Sequence, residues 1–83
     1  MPGAYVLINV ESGTEDRVLK AIKNIVDPDG IVAVEESYIS YGVYDLIVKI
    51  RSESMEELKE IVSYKIRQIS NVRSTLTLML VEE

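Results

Sequence analysis

The sequence YGVYDLIVKIR, residues 41–51, places a glycine directly before an apolar run that is typical of a β-strand. Val43 to Arg51 form this predicted strand, and Ile31 to Tyr41 before the glycine have the composition of another. The two segments predict a β-hairpin around Tyr41-Gly42.

One predicted strand and one predicted helix lie on each side of this hairpin. Ala4 to Val10 (AYVLINV) and Arg73 to Val81 (RSTLTLMLV) are the outer strands. Between the strands, apolar residues recur at helical spacing, as Val18, Leu19, Ile22, Ile25 and Val26 and then as Met55, Leu58, Ile61, Val62, Ile66 and Ile69. The order βαββαβ predicts an α+β fold, a ferredoxin-like sandwich in which residues 1–83 form a single domain.

Capping signals precede both predicted helices. Ser12 stands three residues before Glu15, and Ser54 stands three residues before Glu57, so both pairs have the spacing of a capping box. Thr14 is a second candidate for the first cap.

The predicted helices also end at recognisable residues. Asp27 to Gly30 (DPDG) stop the first helix and suit a turn better than a calcium loop, because proline occupies the second position. Asn71 follows the second helix, and asparagine tolerates the left-handed conformation common at a helix C-terminus.

The alternation of side chains gives the predicted sheet two apolar faces. Two helices cover only one face, and the other would expose aliphatic and tyrosine side chains, which favours sheet-to-sheet pairing of two copies as a dimeric α/β barrel. In the first strand, Ala4, Val6, Ile8 and Val10 lie on one face and Tyr5 and Leu7 on the other. In the third strand, Tyr44, Leu46, Val48 and Ile50 oppose Val43, Asp45 and Ile47. In the fourth strand, Leu76, Leu78 and Leu80 oppose Thr75, Thr77, Met79 and Val81.

The composition argues against catalysis and against nucleic-acid binding. The 83 residues contain no His and no Cys, so the commonest general base and thiolate metal sites are excluded, and no cofactor is expected. The net charge of −5 opposes phosphate binding, and the basic residues group only loosely at Lys65, Arg67 and Arg73.

Glu35 and Glu36 are adjacent in a predicted strand, so they should face opposite ways and each be solvated or salt-bridged. No apolar run approaches a membrane span, and we expect a cytoplasmic protein.

Asp45 is the one acidic residue within an apolar predicted strand. A carboxylate in that position is costly unless a partner bonds to it. The partner could be a ligand ammonium or a neighbouring subunit, and equally a backbone N–H or Arg73. Local spacing leaves these alternatives open.

The quoted strands and hairpin, together with ELKEIVSYKIRQISNV at residues 57–72, resemble the effector-binding module of the Lrp/AsnC transcription regulators, the RAM domain. The likeness runs from about residue 4 to residue 82. Its most specific parts are the Gly-x-Tyr-Asp pattern at Gly42 to Asp45 and the stretch at residues 65–77 that ends in Ser-Thr-x-Thr.

This resemblance implies a homo-oligomeric regulatory module that binds a free amino acid. Family members pair through facing sheets, assemble dimers into rings, and bind the effector between dimers. The implied effector pocket consists of Tyr41, Gly42, Tyr44 and Asp45 with Ser74, Thr75 and Thr77. The chain lacks the family's helix-turn-helix domain, so it resembles a stand-alone module whose implied partners include full-length regulators.

Two departures from the family and two alternatives remain open at this point. Asn71 stands where the family often has a glycine, and Asp27 to Gly30 resemble a small insertion. An ACT-like domain would bind its amino acid at Glu11 to Thr14 instead. A dimeric-barrel monooxygenase of similar topology is less consistent with the sequence, because such sites usually need an imidazole.

Overall fold

The computed structural model describes residues 2–26 and 33–81, and the predicted ferredoxin-like α+β fold is confirmed. Four strands form one antiparallel sheet in the order β2-β3-β1-β4. The strands are β1 (Gly3–Val10), β2 (Ala33–Ile39), β3 (Leu46–Arg51) and β4 (Val72–Leu80), and the helices are α1 (Glu15–Val26) and α2 (Met55–Glu60). No described helix is long and apolar enough to cross a lipid bilayer.

The core lies between one face of the sheet and the helices. In β1, Ala4, Val6 and Ile8 are completely buried and point toward the helices. Their directly paired neighbours share that face, so β3 contributes Ile50, Val48 and Leu46 and β4 contributes Met79, Thr77 and Thr75. The helices close this core with Val18, Ile22, Leu58, Ile61, Val62 and Ile66.

The start of α1 differs from the predicted capping box. The helix begins at Glu15, so Thr14 and not Ser12 is the preceding residue, and the Thr14 carbonyl accepts the N–H of Val18 at 2.9 Å. Glu15 bonds the N–H of Gly13 through its carboxylate, at 3.2 Å. Gly13 has a φ of 85°, a conformation that favours glycine, and this turn moves the cap two residues beyond Ser12.

The second helix is one continuous element of three parts. After α2 it widens at Ile61–Lys65, where the N–H of Ile66 bonds the carbonyl of Ile61, and it then tightens at Ile66–Gln68. The wider turn keeps Leu58, Ile61, Val62 and Ile66 on the core side.

The prediction that Asn71 ends the second helix in a left-handed conformation is wrong. No non-glycine residue in the described part of the chain has a positive φ, and the helix ends because Ile69 is extended. Asn71 instead ties β4 to the end of β1, where its carbonyl accepts the N–H of Glu11 at 3.0 Å and its side-chain amide donates to the Glu11 carboxylate at 3.2 Å.

The connection between β2 and β3 is a loop and not a tight turn. The strands pair as predicted, but pairing stops at Ile39 and Leu46, so the predicted turn at Tyr41-Gly42 is too short. Residues 40–45 form the loop, closed by a 2.7 Å bond from the N–H of Ser40 to the carbonyl of Asp45. The predicted Asp27 to Gly30 turn and the first two residues of the predicted strand two lie outside the described residues.

The sheet face that the helices leave open is apolar over β1, β4 and part of β3. Tyr5 and Leu7 lie on it beside Leu78 and Leu76, with Ile47 on the other side. Leu76 and Leu78 are 44% and 48% exposed. We call this surface, formed by Tyr5, Leu7, Ile47, Leu76, Leu78 and Leu80, the open face.

The two predicted caps give a matched pair of substitutions. The Ser54 hydroxyl accepts the N–H of Glu57 at 3.1 Å, whereas Ser12 caps neither helix. We expect Ser54→Ala to lower the free energy of unfolding by about 1 kcal/mol and Ser12→Ala to change it by a few tenths at most. Urea denaturation of both variants measures the difference, and equal losses would contradict the assignment of the caps.

Candidate functional site

Asp45, the residue directly before β3, continues the hydrogen-bond ladder between β3 and β1. Its N–H donates to the carbonyl of Ile8 at 3.0 Å, and its carboxylate oxygen Oδ2 accepts the N–H of Val10 at 2.9 Å. Of the partners for Asp45 that the sequence left open, the structure shows a backbone N–H. No ion pair between Asp45 and Arg73 is present among the described residues. The other carboxylate oxygen, Oδ1, has no hydrogen-bond partner among the described residues.

A cleft of about 260 Å³ opens beside the half-buried Asp45. The start of α1 and the end of β2 form its walls, and its lining residues are Glu15, Asp16, Ile39, Ser40, Tyr41 and Asp45. Three of these side chains are carboxylates and none is cationic, so the cleft, here called the acidic cleft, favours a positively charged group.

The remaining loop residues predicted for the site are more exposed or point elsewhere. Tyr41 lines the acidic cleft and is 98% exposed, so its ring is available to a ligand or to another chain. Gly42 is exposed, has no positive φ, and has nothing within 4 Å of where a Cβ would lie. Tyr44 is half-buried and is not part of the cleft lining.

The predicted residues of β4 lie at the opposite edge of the sheet. Thr75 and Thr77 line a groove of about 430 Å³ between the second helix and β4, together with Lys59, Val62, Ser63, Arg67 and Met79. Ser74 lies outside this lining and accepts a 3.2 Å hydrogen bond from the Asn9 side-chain amide. We call this second cavity the β4 groove.

The seven predicted site residues thus do not form one pocket in a single chain. The acidic cleft adjoins β2, the β4 groove adjoins β4, and these are the two edge strands of the sheet. Asp45 itself pairs with β1 in line with β3, and since strands lie about 4.8 Å apart, it is about two strand spacings from β4.

Sequence reasoning missed the residues of the second helix that line the β4 groove. Lys59, Ser63 and Arg67 are spaced four residues apart, which places them on one side of a helix. That spacing is a usable signal, but the sequence does not show that this stripe lies opposite Thr75 and Thr77.

Glu35 and Glu36 lie together and not on opposite faces as predicted. The register of β2 against β3 shifts between Val34 and Glu36, and this bulge turns both carboxylates toward Lys49. The Lys49 ammonium lies 3.6 Å from Glu35 and 3.7 Å from Glu36, so of the two expected outcomes, solvation or a salt bridge, the salt bridge is correct for both residues. Arg51 adds a 3.0 Å bond to Glu35.

Two tyrosines complete this charged cluster beside the open face. Glu36 accepts the hydroxyls of Tyr38 at 2.9 Å and Tyr5 at 3.1 Å, and Lys49 lies 5.6 Å from the centre of the Tyr5 ring. The hydrogen bond from Tyr38, then that from Tyr5, lowers the pKa of Glu36. The hydrogen bond from Arg51 is the largest cause that lowers the pKa of Glu35.

The fold presents two cavities and an apolar sheet face that the described helices do not cover. The family model of the Lrp/AsnC ligand binding domain matches residues 3–83, and the chain belongs to this family. It is an effector-binding regulatory module and not an enzyme. The described residues contain no cluster of acidic side chains able to hold a metal ion.

Solved structures share this architecture across the whole chain. FFRP-DM1 is 28% identical with a TM-score of 0.80, and the match covers 98% of this chain and 100% of that one. The hypothetical protein PHS023 from Pyrococcus horikoshii is 29% identical with a TM-score of 0.78, over 100% and 93% of the two chains. The regulator NMB0573 from Neisseria meningitidis, solved with L-Met, shares the fold at 11% identity and a TM-score of 0.70, over 99% of this chain and 51% of that one. No curated protein matches the chain.

The lowered pKa of Glu36 leads to a pH dependence of stability. A carboxyl whose pKa is lower in the folded state stabilises the fold above its unfolded pKa, and this contribution disappears as the pH falls through the folded value. We expect the melting temperature to fall as the pH is lowered below the ordinary glutamate pKa of 4.5, and to fall less steeply in Glu36→Gln. Thermal melts across this range test the expectation, with Glu56→Gln on the exposed side of α2 as the control. Parallel curves for the wild type and Glu36→Gln would refute it.

Proposed function

We propose that this module binds a small free amino acid between copies of itself and thereby modulates transcription regulators of amino-acid metabolism. Members of the family bind amino-acid effectors and oligomerise. The observation that carries the proposal is the acidic cleft, in which Asp45 has one carboxylate oxygen bonded to the backbone and the other available.

The acidic cleft suits the ammonium group of an amino acid. Val10 holds the Asp45 carboxylate in place through its N–H, so little conformational freedom would be lost when a ligand binds. Asp16 adds a second negative charge, and the Ile39 side chain offers an apolar contact. The exposed Tyr41 would cover the ligand from the loop.

A complete site would need more than one chain. The ammonium and carboxylate of an amino acid are attached to one carbon, so a single ligand cannot reach both edges of the same sheet. The predicted pocket therefore requires the acidic cleft of one copy to face β4 of another, as in an assembly of dimers. The Neisseria meningitidis regulator solved with L-Met makes L-methionine a reasonable first probe.

Substitutions at Asp45 test where the ammonium binds. A charge-assisted hydrogen bond contributes about 1.5–3 kcal/mol, so we expect Asp45→Ala to weaken binding about ten- to hundredfold and Asp45→Asn to weaken it less. Because Asp45 also accepts the N–H of Val10, Asp45→Asn is the cleaner variant, and Asp16→Asn removes a cleft charge that no described residue pairs with.

The measurement is calorimetry after a thermal-shift screen of the free amino acids, L-methionine included. Glu56→Gln serves as the control, and light scattering must show that all variants keep one assembly state. Unchanged affinity in both Asp45→Asn and Asp16→Asn would exclude the acidic cleft, and the turn at Ser12-Gly13 would then be tested next.

Self-association through the open face is a separate expectation. An apolar face of this kind is more than a monomer usually leaves in contact with water, and a two-fold pairing would bury it. A charge at its centre, in Leu78→Glu, should break the dimer, whereas Tyr64→Glu on the second helix removes a similarly exposed side chain and should not. Sedimentation tests this, and a wild-type monomer at micromolar concentration would contradict it.

A further inference from the structure

The β4 groove has the charge opposite to that of the acidic cleft. Among the described residues, its lining contains two cations, Lys59 and Arg67, and no carboxylate. Neither cation forms a salt bridge with any residue the structure describes, although the protein as a whole is acidic. Both charges are therefore available to an anion in the groove.

Hydroxyl groups lie between these two cations. The stripe Lys59, Ser63 and Arg67 on the second helix faces Thr75 and Thr77 on β4 across the groove. Thr75 and Thr77 lie on the helix-facing side of the sheet, where the other strands place Ile, Val and Leu. A threonine hydroxyl can donate a hydrogen bond to a carboxylate oxygen, and the guanidinium of arginine can donate two.

The groove also has an apolar part. Val62 is 6% exposed and Met79 is half-buried, and the two adjoin the hydroxyls and the cations. A volume of about 430 Å³ is within the range of small-molecule pockets, about 300–1,000 Å³. The lining thus matches an anionic head attached to a short aliphatic chain.

We infer that the β4 groove binds the carboxylate of a small organic acid through Lys59 and Arg67, with the aliphatic chain against Val62 and Met79. The inference deepens the proposed function and rests on it for the kind of ligand. The acidic cleft binds the ammonium end, and the two cations of the second helix bind the carboxylate end.

Three probes separate the two ends of such a ligand. α-Ketoisocaproate carries the carboxylate and the chain but no ammonium, isopentylamine carries the ammonium and the chain, and inorganic phosphate is an anion with no chain. Amide NMR shifts of the assembled wild-type protein locate each probe, and titration gives its dissociation constant. We expect α-ketoisocaproate to shift the amides of Ser63, Thr75 and Thr77, and phosphate to bind more weakly.

Charge removal then identifies the recognising groups. Both cations are exposed, so Lys59→Gln and Arg67→Gln should fold normally, and each should weaken α-ketoisocaproate binding by about tenfold. Arg67→Lys should restore part of the loss, and Lys20→Gln on α1 is the control that should bind as the wild type does. Wild-type affinity in Lys59→Gln and Arg67→Gln, phosphate binding as tight as α-ketoisocaproate, or absence of shifts in the groove would each overturn the inference.

These outcomes are distinguishable from failure of the proposed function. Groove binding of α-ketoisocaproate without any amino-acid binding would sustain the inference and refute the function. Amino-acid binding that depends on Asp45 but not on Lys59 or Arg67 would support the proposed function and refute the inference.

Discussion

Burial of alternate residues of β1 is the constraint on which the rest of the structure depends. β1 pairs with β3 on one side and β4 on the other, and Ala4, Val6 and Ile8 are completely enclosed beneath the helices. Because side chains alternate along a strand, a slip of one residue would place Tyr5 and Leu7 there and turn Ala4, Val6 and Ile8 to the open face. The apolar core of β1 therefore sets the orientation of every side chain in the sheet that pairs with it.

The two cavities and the open face follow from this register. In β4 it turns Thr75 and Thr77 toward the second helix and leaves Leu76 and Leu78 outside. This is the reverse of the usual arrangement, in which the larger aliphatic residues are buried. The same choice of face produces an exposed apolar surface on one side of the sheet and a polar groove beside the helix on the other.

The charged groups are segregated in a way that suits a ligand with two opposite charges. Carboxylates line the cleft at the β2 edge and cations line the groove at the β4 edge. Beside the open face, the carboxylates of Glu35 and Glu36 are balanced by Lys49 and Arg51, so that region carries no large excess of either charge. Asp45 has two roles, since its carboxylate both caps the β1 ladder at Val10 and lines the acidic cleft.

The order of strands and helices was contained in the sequence, because hydrophobic spacing is a local property that each element carries by itself. The cap at Ser54 and the unusual acid at Asp45 could also be recognised there, for the same reason. The bulge that brings Glu35 and Glu36 to the same face could not be predicted from the sequence, because it depends on how β2 pairs with β3. Nor could the sequence decide which face of β4 is buried, or that Arg67 lies across a groove from Thr77. An alternating strand is equally compatible with either orientation, and only pairing with residues far away in the chain, such as Ala4 with Met79, selects one.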